Sequence, residues 1–292
     1  MLEFRPVSID DKEKAKEILK ISDYRACEFS FANNLAWCRL YDTTVCFFDR
    51  FYISKSSHNK TAFCFPPGEG DYSKLFSELR KYSESQNCPL TLYAVSEENL
   101  RLLSDMYPDG FTAVPDTDSF DYIYNASDLR DLPGGKYHKK RNHLKKINNY
   151  NFSFSALSPA DFDDCITFAA KHYVAGGSFG ESEIGEQFAI NTFFEHFETL
   201  ELSGGVLRVD GEVAAFTIGE KINSDTVDVH IEKADKSIEG AYQAINNFYV
   251  KSLPEDVLFI NREEDMGLEG LRKSKQSYYP AYMLKKYIVT FK

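Results

Sequence analysis

The sequence predicts an α/β, layered α+β fold built twice: two domains, each a mixed, mostly antiparallel sheet flanked by helices. Three observations predict it. Apolar runs of period two alternate with longer runs of helical period along the whole chain. A Pro133-Gly134-Gly135 break separates two halves that follow a similar order of elements. The 292 residues leave room for two compact domains. The expected division is 1–130 and 131–292, with the principal site in the second domain.

In the first half, "EFRPVSIDDKEKAKEILK" reads as a short strand and a helix capped near Ser8 to Asp11. Strand-like "TVCFFDRFYIS" and "TAFCFPP" follow, then the helix "DYSKLFSELRKYSES", the strand "LTLYAV" and the helix "SEENLRLLSDMY". The half closes on the strand "SFDYIYN", and Asn125 to Gly135 reads as a connector.

A basic helix, Lys136 to Asn148, opens the second half. The next helix has Ser158 as N-cap and Pro159 at its first position, and another covers Ser182 to Glu198. "GGVLRVDGEVAAFTIGEKI" is a hairpin turning at Asp210-Gly211. The strand "DTVDVHIEKA", the helix "SIEGAYQAINNFYVKSL", the strand "VLFIN", a short helix and the strand "AYMLKKYIVTF" complete the chain. That order is the order of the GNAT (N-acetyltransferase-like) fold, and the first half gives a shorter version of it.

Composition narrows the function. With 43% hydrophobic and 15% aromatic residues the chain fills a real core, and no apolar run approaches the roughly 20 residues of a membrane span. The N-terminus lacks a signal-peptide pattern, so the expectation is a soluble, cytoplasmic protein without an integral membrane segment. The six cysteines form no C-x-x-C pair and read as buried apolar residues, with no metal site expected. A formal charge of −11 excludes general affinity for DNA, since phosphate binding rests on Lys and Arg.

Chemistry concentrates in three places. On "TVDVHIE", alternation puts Val227, Val229 and Ile231 on one face and Asp228, His230 and Glu232 on the other. If helices cover both faces, the three polar groups line a cavity, where His230, Glu232 or Asp228 is a candidate for proton transfer. In "KYHKKRN", Arg141 follows Tyr137 and precedes Leu144 on an inward stripe and needs a carboxylate partner or an anionic ligand.

The third place is "NREEDMGLEGLRKSKQSYYP", Asn261 to Pro280. It follows Val257 to Ile260, which reads as a central strand buried on both faces, and ligands of open α/β sheets gather beyond such strand ends. Asp265 is the expected N-cap of the following helix, Glu269 and Lys273 a surface pair, and Arg272 and Lys275 interrupt the stripe from Leu268 to Tyr279. The stretch is either an internal ion-pair network or a mixed-charge site for a zwitterionic, amino-acid-like substrate, with Glu263 and Asp265 on its amine and Arg or Lys, Lys275 among them, on its carboxylate or phosphate.

These two motifs, "KYHKKRN" and "INREEDMGLEGLRKSKQSYYP", resemble the DUF2156 family of tandem GNAT-fold proteins. That family is similar to the C-terminal domain of phosphatidylglycerol lysyltransferase and, more remotely, to Fem-type aminoacyltransferases. The resemblance implies acyl or aminoacyl transfer to a hydroxyl or amine, with aminoacyl-tRNA as donor. It implies substrate contacts from Lys139, Arg141 and Asn142, and from Asn261, Arg262, Glu263, Asp265, Arg272, Lys275 and Tyr279. A lipid acceptor fits less well, because the lysyltransferases carry membrane spans. The coenzyme A loop of GNAT enzymes cradles a pyrophosphate at a helix N-terminus. Its counterpart here is "KSIEGAYQ", where Lys236, Ser237 and Gly240 are the candidates and acetyl-CoA is the weaker donor. The alternatives are a non-catalytic sensor of an amino acid or nucleotide, and an acetyl-CoA-dependent N-acetyltransferase.

Overall fold

Period-two runs become strands, and the computed structural model, which describes residues 2–58, 60–175 and 180–292, shows which partners they find. In the first half the strands are β1 (Arg5–Pro6), β2 (Thr44–Phe48), β3 (Phe51–Ser56), β4 (Ala62–Cys64), β5 (Thr91–Val95), β6 (Phe111–Pro115) and β7 (Asp121–Asn125). The second half adds β8 (Phe152–Ala156), β9 (Ser203–Val209), β10 (Glu212–Lys221), β11 (Thr226–Ala234), β12 (Phe259–Asn261), β13 (Tyr282–Leu284) and β14 (Tyr287–Phe291). They form two seven-stranded sheets, in the orders β1-β2-β3-β4-β5-β14-β6 and β13-β7-β12-β11-β10-β9-β8. The pairs β4–β5 and β11–β12 are parallel, and the sheets are otherwise largely antiparallel.

The chain divides into two compact units. One is Met1–Asp121 with Glu264–Gly267 and Met283–Lys292; the other is Tyr122–Glu263 with Leu268–Tyr282.

In the first unit the Ser8–Asp11 capping box leads into the helix Lys12–Ser22. Asp71 and Ser96 accept backbone N–H bonds that start the helices Tyr72–Ser85 and Glu97–Met106. Leu75, Phe76 and Leu79 share a helix face and are wholly buried, as are Phe51, Ile53, Phe63, Leu92 and Leu103. Here the structure corrects the strand "TVCFFDRFYIS": it is the hairpin β2–β3, because Asp49 turns left-handed (φ 50°). Two short helices, Phe31–Ala36 and Cys38–Tyr41, and strand β6 were not anticipated.

The last run, "AYMLKKYIVTF", is also corrected. It breaks at Lys285–Lys286, and β14 enters the first sheet between β5 and β6. At the break Lys286, 2% exposed, places Nζ 2.7 Å from Asp121 Oδ1, 2.7 Å from Glu28 Oε2 and 3.5 Å from Cys27 Sγ. Burial pushes the Cys27 thiol well above its ordinary value, with Asp121 and Glu28 adding to the effect. The cysteine therefore stays a neutral thiol beside an ion pair.

The second unit forms on the β9–β10 hairpin, which turns at Asp210 (φ 52°) and Gly211 (φ 90°) as its sequence predicts. The helix Ala241–Ser252 packs on β9, β10 and β11 through Ala244 and Ile245, both fully buried. The expected connector is instead a helix, Ala126–Asp131. Asn247 Nδ2 donates to the carbonyls of Leu129 and Arg130 at 2.7 and 2.8 Å, and Leu129 is wholly buried. The run Val257–Ile260 is a central strand only in part. β12 covers Phe259–Asn261 between β11 and β7, and Leu258 is 55% exposed. No helix of the described residues is long and apolar enough to cross a membrane.

Candidate functional site

β11 and β12 run side by side from Thr226↔Phe259 to Asp228↔Asn261. β11 then continues to Ala234, whereas the other chain leaves the sheet through Glu263, whose φ is 53°. Asn261 Oδ1 accepts the Glu263 N–H at 2.7 Å and holds that bend. Alternation on β11 points Asp228, His230 and Glu232 to one side, and these side chains meet the residues that follow β12.

His230 sits at the centre of an acidic cage. Its Nδ1 lies 3.0 Å from Glu263 Oε1 and 3.6 Å from Asp228 Oδ2, and its Nε2 lies 3.1 Å from Glu220 Oε1. Glu220 arrives because β10 sets it opposite Asp228. The Phe193 ring stacks on the imidazole at 5.1 Å. Burial alone lowers the imidazole pKa, but Asp228 and the hydrogen bonds to Glu220 and Glu263 outweigh it and hold His230 well above 6.5. Both ring nitrogens therefore carry protons near neutrality. A protonated imidazole has no lone pair to act as a general base, and Asp228, His230 and Glu263 lie close enough to one another to share a cation.

Beside the cage, Arg262 Nη2 bonds Glu232 Oε1 at 2.6 Å, and Asn246 Nδ2 bonds Glu232 Oε2 at 3.0 Å. The guanidinium lies 4.9 Å from the Tyr278 ring centre and 5.7 Å from that of Tyr124. Lys140 Nζ sits 3.6 Å from the same Tyr278 ring centre. Burial, with Arg262 beside it, pushes the Lys140 ammonium down to about 8. The turn carrying Tyr278 is fixed by hydroxyls: Tyr124 donates to the Lys275 carbonyl and Tyr137 to the Tyr278 carbonyl, both at 2.8 Å. Lys275, 8% exposed, donates to the Arg262 carbonyl.

The remaining candidates scatter. Arg141 donates to the carbonyls of Leu132 and Gly134 and so fastens the Pro133–Gly135 turn. Lys139 and Asn142 are exposed, Asn142 beside His138. Tyr279 is 46% exposed with its ring edge-on to Tyr137, and Arg272 is half-buried. Asp265 belongs to the first unit and accepts the Gly267 N–H at 2.9 Å; the helix Glu269–Gln276 is capped at Leu268 instead. Glu269 and Lys273 are the expected exposed pair, 2.6 Å apart.

Around Gly240 four amides have protein partners. Ser237 N bonds Asp235 Oδ1, Ile238 N the Asp235 carbonyl, Glu239 N the Tyr150 hydroxyl and Ala241 N the Ile238 carbonyl. Lys236 is exposed. Gly240 (φ 90°) approaches so closely that a Cβ would lie 2.5 Å from the His143 carbonyl oxygen. Gly240→Ala is expected to lose on the order of 1–3 kcal/mol of stability, read as a lower melting temperature. Gly135→Ala, where a Cβ meets nothing within 4 Å, serves as the control that stays near wild type.

Sequence reasoning missed Glu220, Asn246, Tyr278 and Lys140. A signal existed for Lys140: it shares the i, i+3, i+7 stripe with Tyr137 and Leu144.

With this geometry in view, the comparisons place the chain. The profile of the family described as "Phosphatidylglycerol lysyltransferase, C-terminal" matches residues 19–290. A conserved protein of unknown function from Bacteroides thetaiotaomicron superposes with TM-score 0.94 at 34% identity, covering 100% of both chains. The C-terminal domain (DUF2156) of a putative lysylphosphatidylglycerol synthetase from Agrobacterium fabrum gives TM-score 0.69 at 15% identity, over 97% of this chain and 92% of that one. A tandem GNAT protein from the clavulanic acid biosynthesis pathway gives 0.50 at 10%, over 99% and 98%. The fold is accordingly of the tandem GNAT type. An uncharacterized protein of Mycoplasmoides gallisepticum is 23% identical over 177 residues, 59% of this chain and 56% of that protein's length.

Proposed function

Because the chain belongs to the family of phosphatidylglycerol lysyltransferase C-terminal domains, we propose that it is an acyltransferase that moves an aminoacyl, or other acyl, group from an activated ester to a hydroxyl or amine. The observation that carries this reading is the parting of β11 from β12, bridged by the pairs His230–Glu263 and Glu232–Arg262. A substrate bound there would meet charges of both signs.

The roles follow from the charges. Three acidic side chains, Glu220, Asp228 and Glu263, surround one imidazolium, so a substrate ammonium is the complementary guest. His230 fixes the acids in position. Glu232, between Arg262 and Asn246, is the carboxylate placed to take the acceptor's proton as the ester carbonyl is attacked. Aminoacyl-tRNA is the donor this reading favours. Acetyl-CoA is disfavoured because the counterpart of the coenzyme A loop, "KSIEGAYQ", keeps only Gly240 in a plausible place.

The test is consumption of radiolabelled aminoacyl-tRNAs by the purified protein, with hydroxyl and amine acceptors supplied. Glu232→Gln is expected to slow transfer by about 100-fold or more, with the far-ultraviolet spectrum unchanged. Intact donors after incubation with every acceptor, under conditions that keep the ester stable, would defeat the reading.

A further inference from the structure

The Arg262 guanidinium is only partly used. Its Nη2 holds Glu232, but Nη1 is buried without a hydrogen-bond partner, and the side chain is 10% exposed. Asn246 is in the complementary state: Nδ2 holds the same carboxylate, while Oδ1 is buried without a partner in a residue 1% exposed. Buried polar atoms are normally satisfied, so an orphan donor and an orphan acceptor flanking one carboxylate point to a group that arrives from outside.

The charge on that group follows from the neighbours. Arg262 and Lys140 both lie within 5 Å of the Tyr278 ring centre, and Glu232 is the carboxylate acting on both cations. Its two oxygens are already engaged by Arg262 and Asn246. Two cations against one acid leave a positive excess in a half-buried place, which a neutral guest would not relieve.

We propose that Lys140 and the Nη1 edge of Arg262 form an oxyanion-binding site in the second unit, and that it takes the carboxylate or phosphate of a ligand whose amine or hydroxyl donates to Asn246 Oδ1. An acyl ester carries no free carboxylate at its reacting carbon, so the oxyanion belongs to another part of the donor or to the acceptor. The inference rests on the site and not on the transfer reaction: binding without turnover would leave it standing and would count against the reaction alone.

A pH signature goes with it. The groups acting on Lys140 are Arg262, Glu232 and the Tyr278 ring. Burial and Arg262 depress its ammonium to about 8. An anion bound beside it favours the charged form, so binding takes up a proton above that pH. Affinity is then constant below about pH 7.5 and falls by up to tenfold per pH unit above the Lys140 pKa.

The experiment is calorimetric titration of the full chain with three probes: inorganic phosphate, free lysine and lysine amide. Binding of lysine but not of its amide assigns a carboxylate, and binding of phosphate assigns a phosphoryl group; either supports the site. Lys140→Met and Arg262→Lys are expected to weaken the bound probe by about tenfold or more. Arg262→Lys keeps a cation against Glu232 while removing the Nη1 edge, and a thermal melt confirms that it folds. Binding of no probe by wild type overturns the proposal. So does binding that is unchanged in folded Lys140→Met protein.

Discussion

Replacing Lys286 by methionine is expected to destabilise the protein by on the order of 3–5 kcal/mol, measured as a fall in the urea midpoint at constant slope. Lys286 is 2% exposed and Asp121 0%, with Glu28 as second partner. Taking away the ammonium leaves Asp121 and Glu28 inside the first unit without the Lys286 counter-charge, and that desolvation cost exceeds the worth of the intact pair. Pairing Lys286→Met with Asp121→Asn should therefore recover much of the loss. If the double variant is no more stable than the single, the ion pair is not what holds the site. Burial lowers the Lys286 pKa, but Asp121 and Glu28 outweigh it, and the net is well above its ordinary value. Its contribution is thus fully present below the unfolded lysine pKa and is lost only as pH rises through the higher folded value. Between pH 6 and 9 the effect of the substitution should be flat.

The second large effect concerns His230. Replacing it with glutamine brings Glu220, Asp228 and Glu263 together without their shared cation, at an expected cost on the order of 3–5 kcal/mol at pH 6. The folded pKa is raised above 6.5. The stabilisation is therefore complete below the unfolded value and declines as pH rises through the folded one. The gap between wild type and variant should be widest near pH 6 and narrow on the alkaline side. Nitrogen-15 spectra at pH 7 provide a direct check, since an imidazolium shows two protonated ring nitrogens. A single protonated nitrogen would restore His230 as a candidate base and remove the reason given for its fixed charge.

Much of the second unit was legible because its information is local. Alternation on β11 put Asp228, His230 and Glu232 on one face, and Asp210-Gly211 announced the hairpin. What was not legible depends on partners far along the chain. Glu220 reaches His230 through a register that shifts at Ile218/Gly219, and no pattern in β10 alone announces that. Asp265 looked like a helix cap. Left-handed residues at Met266 and Gly267 redirect the chain between it and the helix. Arg141 was read as a ligand candidate and Lys140 was not, although both fit an inward helical stripe, and the carbonyls of Leu132 and Gly134 that engage Arg141 are not announced by the helix pattern.

The place of β14 has a consequence for synthesis. The first unit is built from the first 121 residues, yet the strand that joins β5 to β6 lies at Tyr287–Phe291. At about 5–20 residues per second, the ribosome needs on the order of ten to thirty seconds to reach it after Asp121. For that time the nascent N-terminal segment has a gap inside its sheet, with the edges of β5 and β6 open to other chains. The second unit, whose strands β7 to β12 are consecutive in the chain, has nearly all its partners earlier. Order of translation and order of completion are therefore reversed, and shortening the C-terminus strikes first at the N-terminal unit.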